Sequence, residues 1–329
     1  MTTQEAPQER SNLQLSIRNA FLGQEGVLVV IMVIAVIVLS FTSENFLTVD
    51  NLLNQARLMT EVGLIALPMT YIIITGGIDL SVGSIFGFSA VMLGWLWKEQ
   101  SFPLEAAILA SIVIGTLSGL LNALFIVYVR VPPIIMTLAT LALYRGMAYG
   151  ISQARSARGY PDWFFQFGQR DFLGIPTQIW FLIVASIFAW ILLARTPFGR
   201  GIYAIGNNEI GARFSGIPVN RYLLFIYVFA GFMSAVAAFL FTSRVSTTRA
   251  DSGTGMELDV IAAVVLGGTS IVGGSGTIHG TLLGLVLLQL LKNGLSLSGV
   301  KGDATIVVIG VVLILSILIN NYIQKRFRQ

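Results

Sequence analysis

Thr75-Gly76-Gly77-Ile78-Asp79-Leu80-Ser81-Val82-Gly83-Ser84 and, much later in the chain, Leu266-Gly267-Gly268-Thr269-Ser270-Ile271-Val272-Gly273-Gly274-Ser275-Gly276 each interrupt sequence otherwise apolar enough for a membrane helix. Backbone that leaves a helix inside a bilayer has no water to bond, so other protein or a water-filled cavity must satisfy it. Gly-interrupted apolar segments in two halves of one chain are therefore a pointer to a transport path. They make Gly76, Gly77, Asp79 and Ser81, with Gly267, Gly268 and Thr269, the candidate residues of a solute pathway.

Apolar residues make up 55% of the 329 and charged residues 11%, against about a quarter charged in a soluble domain. A deficit of that size over the whole chain means that lipid is part of its solvent. There is no cysteine and one histidine, His279. That excludes disulfides, thiolate metal sites and multi-histidine metal sites within the chain. The net charge of +4 is small, and arginines beside the apolar runs act as anchors. No basic patch with interleaved aromatics supports a nucleic-acid partner. Residues 1–25 lack the apolar core and small-residue cleavage site of a signal peptide.

Uncharged runs cover 26–43, 62–78, 80–97, 106–129, 131–144, 172–194, 222–243, 260–291 and 304–324. About 20 residues cross the hydrocarbon core. Runs 62–78 and 80–97 flank the first glycine break, and the second break divides 260–291. The expectation is an all-α polytopic membrane protein of about ten transmembrane segments, some broken or re-entrant at the Gly-rich motifs. An N-terminal segment 1–25 precedes a single transmembrane domain 26–324, and 325–329 form a tail. Lys325, Arg326 and Arg328 fall on the same face as Arg195, Arg200, Arg213 and Arg221. The excess of positive charge makes that face, with both termini, cytoplasmic. Arg155, Arg158, Arg170, Arg244 and Arg249 run against the bias.

The loop 195–221 carries a helix signature. Asn207 or Asn208 suits an N-cap; Glu209 in the first turn and Arg213 in the last match the helix dipole. Gly216 suits a left-handed stop, and Pro218 prevents continuation. The spacing predicts about two turns of helix outside the membrane. It is either a plain connector or a coupling helix that carries motion from a cytoplasmic motor to the spans. On the opposite face, 153–178 holds Tyr160, Trp163, Phe164, Phe165 and Phe167. They read as an interfacial aromatic belt, an outer gate, or a docking surface for a delivery protein.

Asp79 between two apolar runs is costly and points to a site. Its carboxylate caps the following helix by binding amides freed at Gly76-Gly77, with Ser81 sharing the role; or it touches solute; or it meets another subunit. The pairs Gly83/Gly87, Gly115/Gly119 and Gly146/Gly150, and the series Gly276/Gly280/Gly284, allow close helix approach. His279 one turn after Ser275 invites a Ser–His protease reading, which no neighbouring acid supports. Arg145 is expected to snorkel to the interface. The pattern Gly-x-x-x-x-Gly-Lys-Ser/Thr is absent, so no phosphate cradle of that type is present. If ATP drives this protein, a separate subunit hydrolyses it.

At this point the residues carry a resemblance. Ile74-Thr75-Gly76-Gly77-Ile78-Asp79-Leu80-Ser81-Val82-Gly83-Ser84 resembles a signature of carbohydrate-uptake ABC permeases of the ribose, xylose and autoinducer-2 class. So do Phe198-Gly199-Arg200, Ile205-Gly206-Asn207-Asn208-Glu209 and Arg213-Phe214-Ser215-Gly216-Ile217. The longest stretch runs from Gly253-Thr254-Gly255-Met256-Glu257 to Gly267-Gly268, and on through Gly273-Gly274 and Gly280-Thr281 to Asn293-Gly294-Leu295. The similarity spans roughly residues 50 to 320, and 155–163 is similar to permeases for rhamnose or autoinducer-2. It implies a transport subunit of the bacterial inner membrane, not an enzyme. It implies three partners: a cytoplasmic ABC ATPase that binds ATP and Mg, a second permease, and a periplasmic sugar-binding protein. It places the ATPase-contacting loop at Asn208, Glu209, Arg213 and Gly216. The alternative is an ion-coupled secondary transporter, for which Asp79 is the one fair ion site.

Overall fold

At Glu61 and Arg145 a charge that bounds an apolar run does not end the helix. The computed structural model describes residues 24–41 and 43–300 and, beyond them, 304, 307, 308, 310, 311 and 314. Most of the expected segments 1–25 and 304–324, and all of 325–329, lie outside the described residues. Eleven helices are described: α1 Gln24–Ser40, α2 Val49–Ile74, α3 Val82–Lys98, α4 Leu104–Leu124, α5 Pro133–Ser152, α6 Thr177–Arg195, α7 Pro197–Asn207, α8 Glu209–Phe214, α9 Val219–Val245, α10 Met256–Leu266 and α11 Ile278–Leu297. A π turn over Phe125–Val129 extends α4.

The run expected at 62–78 is a helix that begins at Val49 and passes through Arg57 and Glu61. Both charges are paired, Arg57 with Asp171 and Glu61 with Arg244 at 2.8 Å. An ion pair removes the isolated charge that would have made a helix boundary there. Helix α5 also continues past Arg145 to Ser152, the guanidinium being met by backbone carbonyls instead of an acid. Among the described residues, six helices are long and apolar enough to cross a bilayer: α2, α4 with its π turn, α5, α6, α9 and α11. Leu28–Ser40 and Val82–Lys98 are apolar but shorter. The run 260–291 is broken as expected, into α10 and α11.

Contacts sort the helix ends into two groups. One end of the bundle holds α7, α8, the end of α2 and the start of α11, since Gly206 abuts Ile74 and Tyr203 bonds Gly276. The other end holds 153–176 and the end of α9, since Ser243 donates to the Phe164 carbonyl at 2.6 Å. There Ala157–Arg158 pairs antiparallel with Thr247–Thr248, and Asp171–Phe172 with Ile175–Pro176. Helices α4 and α9 cross at Gly115, Gly119 and Gly231; an added Cβ would strike facing backbone at Gly119 and Gly231, and the Ala235 and Ser89 side chains at Gly115. That contact gives the pair Gly115/Gly119 its packing role. Gly280 and Gly284 face α10 in the same manner, whereas Gly146 and Gly150 have nothing near them.

Candidate functional site

Both glycine breaks close a helix with one motif. At the first, Gly76 N–H donates to the Ile73 carbonyl and Gly77 N–H to Ile72, each at 2.9 Å, with Gly76 at φ +82. At the second, Gly268 N–H donates to Val265 at 2.9 Å and Thr269 N–H to Val264 at 3.2 Å, with Gly268 at φ +91. These are Schellman closures, which need a left-handed residue and satisfy orphan carbonyls inside the bundle. The amides of Gly76 and Gly77 are therefore used by α2 and do not bind Asp79, contrary to the expectation from sequence.

Asp79 is buried, and its donors come from Ser81. Asp79 Oδ1 accepts from Ser81 N–H at 2.8 Å and from Ser81 Oγ at 2.6 Å. Asn122 of α4 then donates Nδ2 to Ser81 Oγ at 2.8 Å. Thr137 of α5 donates to the Ile78 carbonyl at 3.2 Å. The chain between α2 and α3 is thus tied to two helices, α4 and α5, by side chains. Such ties substitute for water where backbone runs irregularly. Asp79 and Ser81 are fully buried; the Asp79 carboxylate holds the Ser81 amide just ahead of α3, and the Ser81 side chain makes no cap bond to that helix.

Arg145 does not snorkel. Its guanidinium donates to the carbonyls of Ala250 at 2.6 Å, Ser252 at 2.8 Å and Gly83 at 3.1 Å. It holds the irregular segment 246–255 against the first turn of α3. Gly83 and Gly87 leave the space for that segment, since a Cβ at either would strike Gly253, Glu257 or Ser252. The partner of this small-residue pair is a loop, where sequence pattern alone suggested a helix. A carbonyl-bonded arginine gives no sequence signal, because its acceptors are backbone atoms far along the chain.

The second break is held differently. Ser270 N–H donates to the Ser275 carbonyl at 3.0 Å and Gly273 N–H to Ser270 at 2.9 Å, so backbone alone folds the turn. Gly267 lies against the backbone of Gly280 and Thr281 in α11, and Thr269 is buried beside Gly276. Ile271 and Val272 point outward, Val272 at 89% exposure. His279 is exposed, with its ring 5.8 Å from that of Trp190.

The loop 195–221 is nearly all helix. The expected short helix is α8, and its cap is Asn208, whose Oδ1 accepts from Gly211 N–H at 2.9 Å. Asn207 instead donates Nδ2 to the Tyr203 carbonyl at 2.8 Å. Glu209 and Arg213 pair at 2.8 Å, and Arg213 also donates to Asn220 at 2.8 Å. Gly216 adopts φ +81 and closes the helix. Ala212 packs inward with Ile205 and Val219, while Ile210 and Phe214 are exposed at 68% and 89%. The preceding helix α7 was not foreseen. Thr196 caps it, Phe198 stacks on Tyr222 at 4.6 Å, and Ile202 and Ile205 are buried. Burial raises the Tyr203 phenol above its ordinary pKa, which keeps it a donor, and it bonds the Gly276 carbonyl at 2.7 Å.

At the other end, the aromatics of 153–178, for which the sequence offered a belt, an outer gate or a docking surface, form a packed lid. Tyr160 stacks on Trp97 at 4.5 Å and on Phe164 at 4.9 Å, and Phe164 is fully buried against Phe239. A cavity of about 190 Å³ opens beside the lid between Gly94, Trp95, Glu99, Ser152 and Arg155. Nearby, α2 and α11 are joined by four amide side chains. Asn51 and Asn293 exchange bonds at 2.8 and 3.0 Å, and Gln289 donates to Gln55 at 2.7 Å. Their spacing of four on each helix was the available signal, overlooked because Asn51 and Gln55 precede the apolar run.

Comparison with known proteins sets this architecture in context. A family model described as branched-chain amino acid transport system / permease component matches residues 51–317. The chain is 42% identical over 289 residues to the ribose import permease protein of Bacillus subtilis (strain 168), covering 87% of this chain and 89% of the relative. It is 35% identical over 322 residues to the ribose import permease protein of Haemophilus influenzae, covering 97% and 98%. It is 36% identical over 297 residues to the autoinducer 2 import system permease protein of Salmonella paratyphi B, covering 88% and 89%. No solved structure matches.

Proposed function

The chain belongs to the family of transport-system permease components, and from that premise we propose that it is the transmembrane permease subunit of a binding-protein-dependent ABC importer for a sugar or sugar-like solute. The relatives matched over almost the whole chain import ribose and autoinducer 2, which favours that class of solute over the amino acids in the family description. The permease sits in the bacterial inner membrane beside a second permease copy or homologue. Of its about ten segments, some are broken or re-entrant at the Gly-rich breaks. Both termini and 195–221 are cytoplasmic, and 153–178 faces the periplasmic binding protein. A separate cytoplasmic ATPase binds ATP and Mg and does the hydrolysis.

The observation that carries this reading is α8. A capped helix of six residues has little stability of its own, yet it presents Ile210 and Phe214 to the outside. Beside them stands the paired Glu209 and Arg213. Exposed apolar anchors rimmed by charge are the chemistry of a docking site. Motion of the ATPase is transmitted through α8 to the spans. The solute then passes between the two permeases, along a wall shaped by Gly76, Gly77, Asp79, Ser81, Gly267, Gly268 and Thr269.

Two measurements test it. An exposed ion pair is worth about 0.3–0.5 kcal/mol to its helix, so Glu209→Ala and Arg213→Ala leave expression and insertion near normal. If the pair is buried against the ATPase, losing one partner weakens binding by about 2–5 kcal/mol. Together with Gly216→Val, these variants are expected to lose ATPase pull-down and solute uptake. Full association and uptake in all three would reduce α8 to a connector. For orientation, Asn208→Cys is the sole thiol in a chain without cysteine. It is expected to resist an impermeant reagent in intact cells, and labelling there would reverse the layout.

A further inference from the structure

Three separate stretches of backbone cross where α7 ends. They are Ile74–Gly77 closing α2, Gly206–Asn207, and Gly273–Gly274 in the second break. Gly274 N–H donates to the Ile74 carbonyl at 2.9 Å, satisfying one of the orphan acceptors at the end of α2. The α-carbon of Gly206 rests on that same carbonyl. A Cβ there would overlap its oxygen and stand 2.6 Å from Gly274 N. A Cβ at Gly273 would meet Ile74 O at 3.0 Å, Gly206 O at 3.1 Å and Gly76 N at 3.2 Å. One at Gly274 would meet Asn207 Oδ1 at 2.8 Å. Tyr203, one turn before Asn207, adds the 2.7 Å bond to the Gly276 carbonyl. The two breaks, distant in sequence, are therefore bolted to one helix, and Asn208 alone separates that helix from α8.

We propose that this crossing is the transmission point of the transporter: α7 is a rigid lever that moves both glycine breaks together when α8 is displaced, with Gly206 and Tyr203 as its positioning residues. The proposal rests on the permease reading above and adds where force enters the membrane domain. Contact between backbones at this distance leaves no slack, because packed interiors are not continuously compressible. One displacement of α7 must then shift the end of α2 and the turn before α11 at once. Spatial contiguity supplies the route, and only a measured coupling establishes its use.

The test uses the purified complex of permease, ATPase and binding protein in proteoliposomes. The variants are Gly206→Ala, the near-isosteric Tyr203→Phe, and as a control Gly150→Ala, whose added Cβ meets nothing within 4 Å. Gly206→Ala and Tyr203→Phe are expected to keep ATPase pull-down and basal hydrolysis. Solute moved per ATP, and the stimulation of hydrolysis by loaded binding protein, should fall about tenfold in Gly206→Ala, within the usual span of coupling energies, and about threefold in Tyr203→Phe, the size expected for losing one neutral hydrogen bond. The control should match wild type. Unchanged coupling in Tyr203→Phe, which has no steric reason to misfold, would overturn the proposal. Loss of pull-down in step with loss of uptake would also overturn it, because the crossing would then serve docking alone. Failure of the wild-type chain to retain an ATPase would sink the permease reading itself, a different result.

Discussion

The two glycine breaks end their helices with the same closure but differ in how far side chains hold them afterwards. After Gly77 the chain turns inward, and side chains hold it: Asp79 to Ser81, Ser81 to Asn122, and Thr137 to the Ile78 carbonyl. After Thr269 the chain turns outward, exposes Val272, and is held mainly by backbone bonds, two within its own turn and one to the Ile74 carbonyl, with the Tyr203 hydroxyl on Gly276 as its side-chain tie. The same motif thus tolerates burial or exposure, and what decides is whether polar side chains follow within reach. Irregular backbone is stable inside the bundle only where such partners exist.

The largest expected difference between the breaks is steric. A Cβ at Gly267 would strike the backbone of Gly280 and Thr281, whereas one at Gly77 would meet the Tyr227 hydroxyl at 2.6 Å and the Ile72 side chain at 3.2 Å. Backbone cannot retreat as a side-chain end can. Gly267→Leu is expected to destabilise by about 3 kcal/mol and Gly77→Leu by about 2 kcal/mol, with uptake lost in both. Thermal unfolding of the purified complexes ranks them, and the reverse order would break the comparison.

Next in size is the loss of the inward anchor. Asp79→Ala strands two buried donors on Ser81 and should remove about 1–3 kcal/mol. Asp79→Asn keeps an acceptor and should lose less. At the second break Ser275 contributes its carbonyl, not its side chain, to the turn. Ser275→Ala is therefore expected to stay within about 0.5 kcal/mol of wild type. Equal losses for Asp79→Ala and Ser275→Ala would mean that the two breaks are held alike after all.

The smallest expected effect is the one the breaks share. Gly76→Ala and Gly268→Ala each force a side chain into left-handed backbone, at about 1 kcal/mol apiece. Near equality of the two sharpens the claim of a common closure. A loss confined to one site would show that its φ is not demanded in solution.

Much of this was legible in the sequence, and the boundary of legibility is physical. The breaks, the cap at Asn208 and the stop at Gly216 are set by residues within a turn of one another, so local chemistry announces them. Helix α7 was hidden because Gly199, Gly201 and Gly206 sit among its eleven residues, and glycine is a poor helix former. Those glycines answer to Leu193, Tyr222 and Ile74, contacts a linear reading does not contain. The first half of α2 was missed for a related reason. Arg57 and Glu61 look like boundaries until Asp171 and Arg244, more than a hundred positions away, arrive as partners. Of the pathway candidates, Gly76, Gly77, Gly267 and Gly268 were legible as backbone positions. The donors to Asp79 were assigned to the wrong residues, since Gly76 and Gly77 amides are equally close in sequence and only the closure of α2 decides between them.

The central claim is ATP-driven import through this chain, and transport by reconstituted complex tests it most directly. Proteoliposomes holding the permease, its co-purified ATPase and a sugar-loaded binding protein should accumulate solute only when ATP and Mg reach the ATPase. Dissipating proton and sodium gradients should leave the rate unchanged. Uptake by the permease without ATPase, driven by an imposed ion gradient and abolished by Asp79→Asn, would contradict the account and make the chain an ion-coupled transporter.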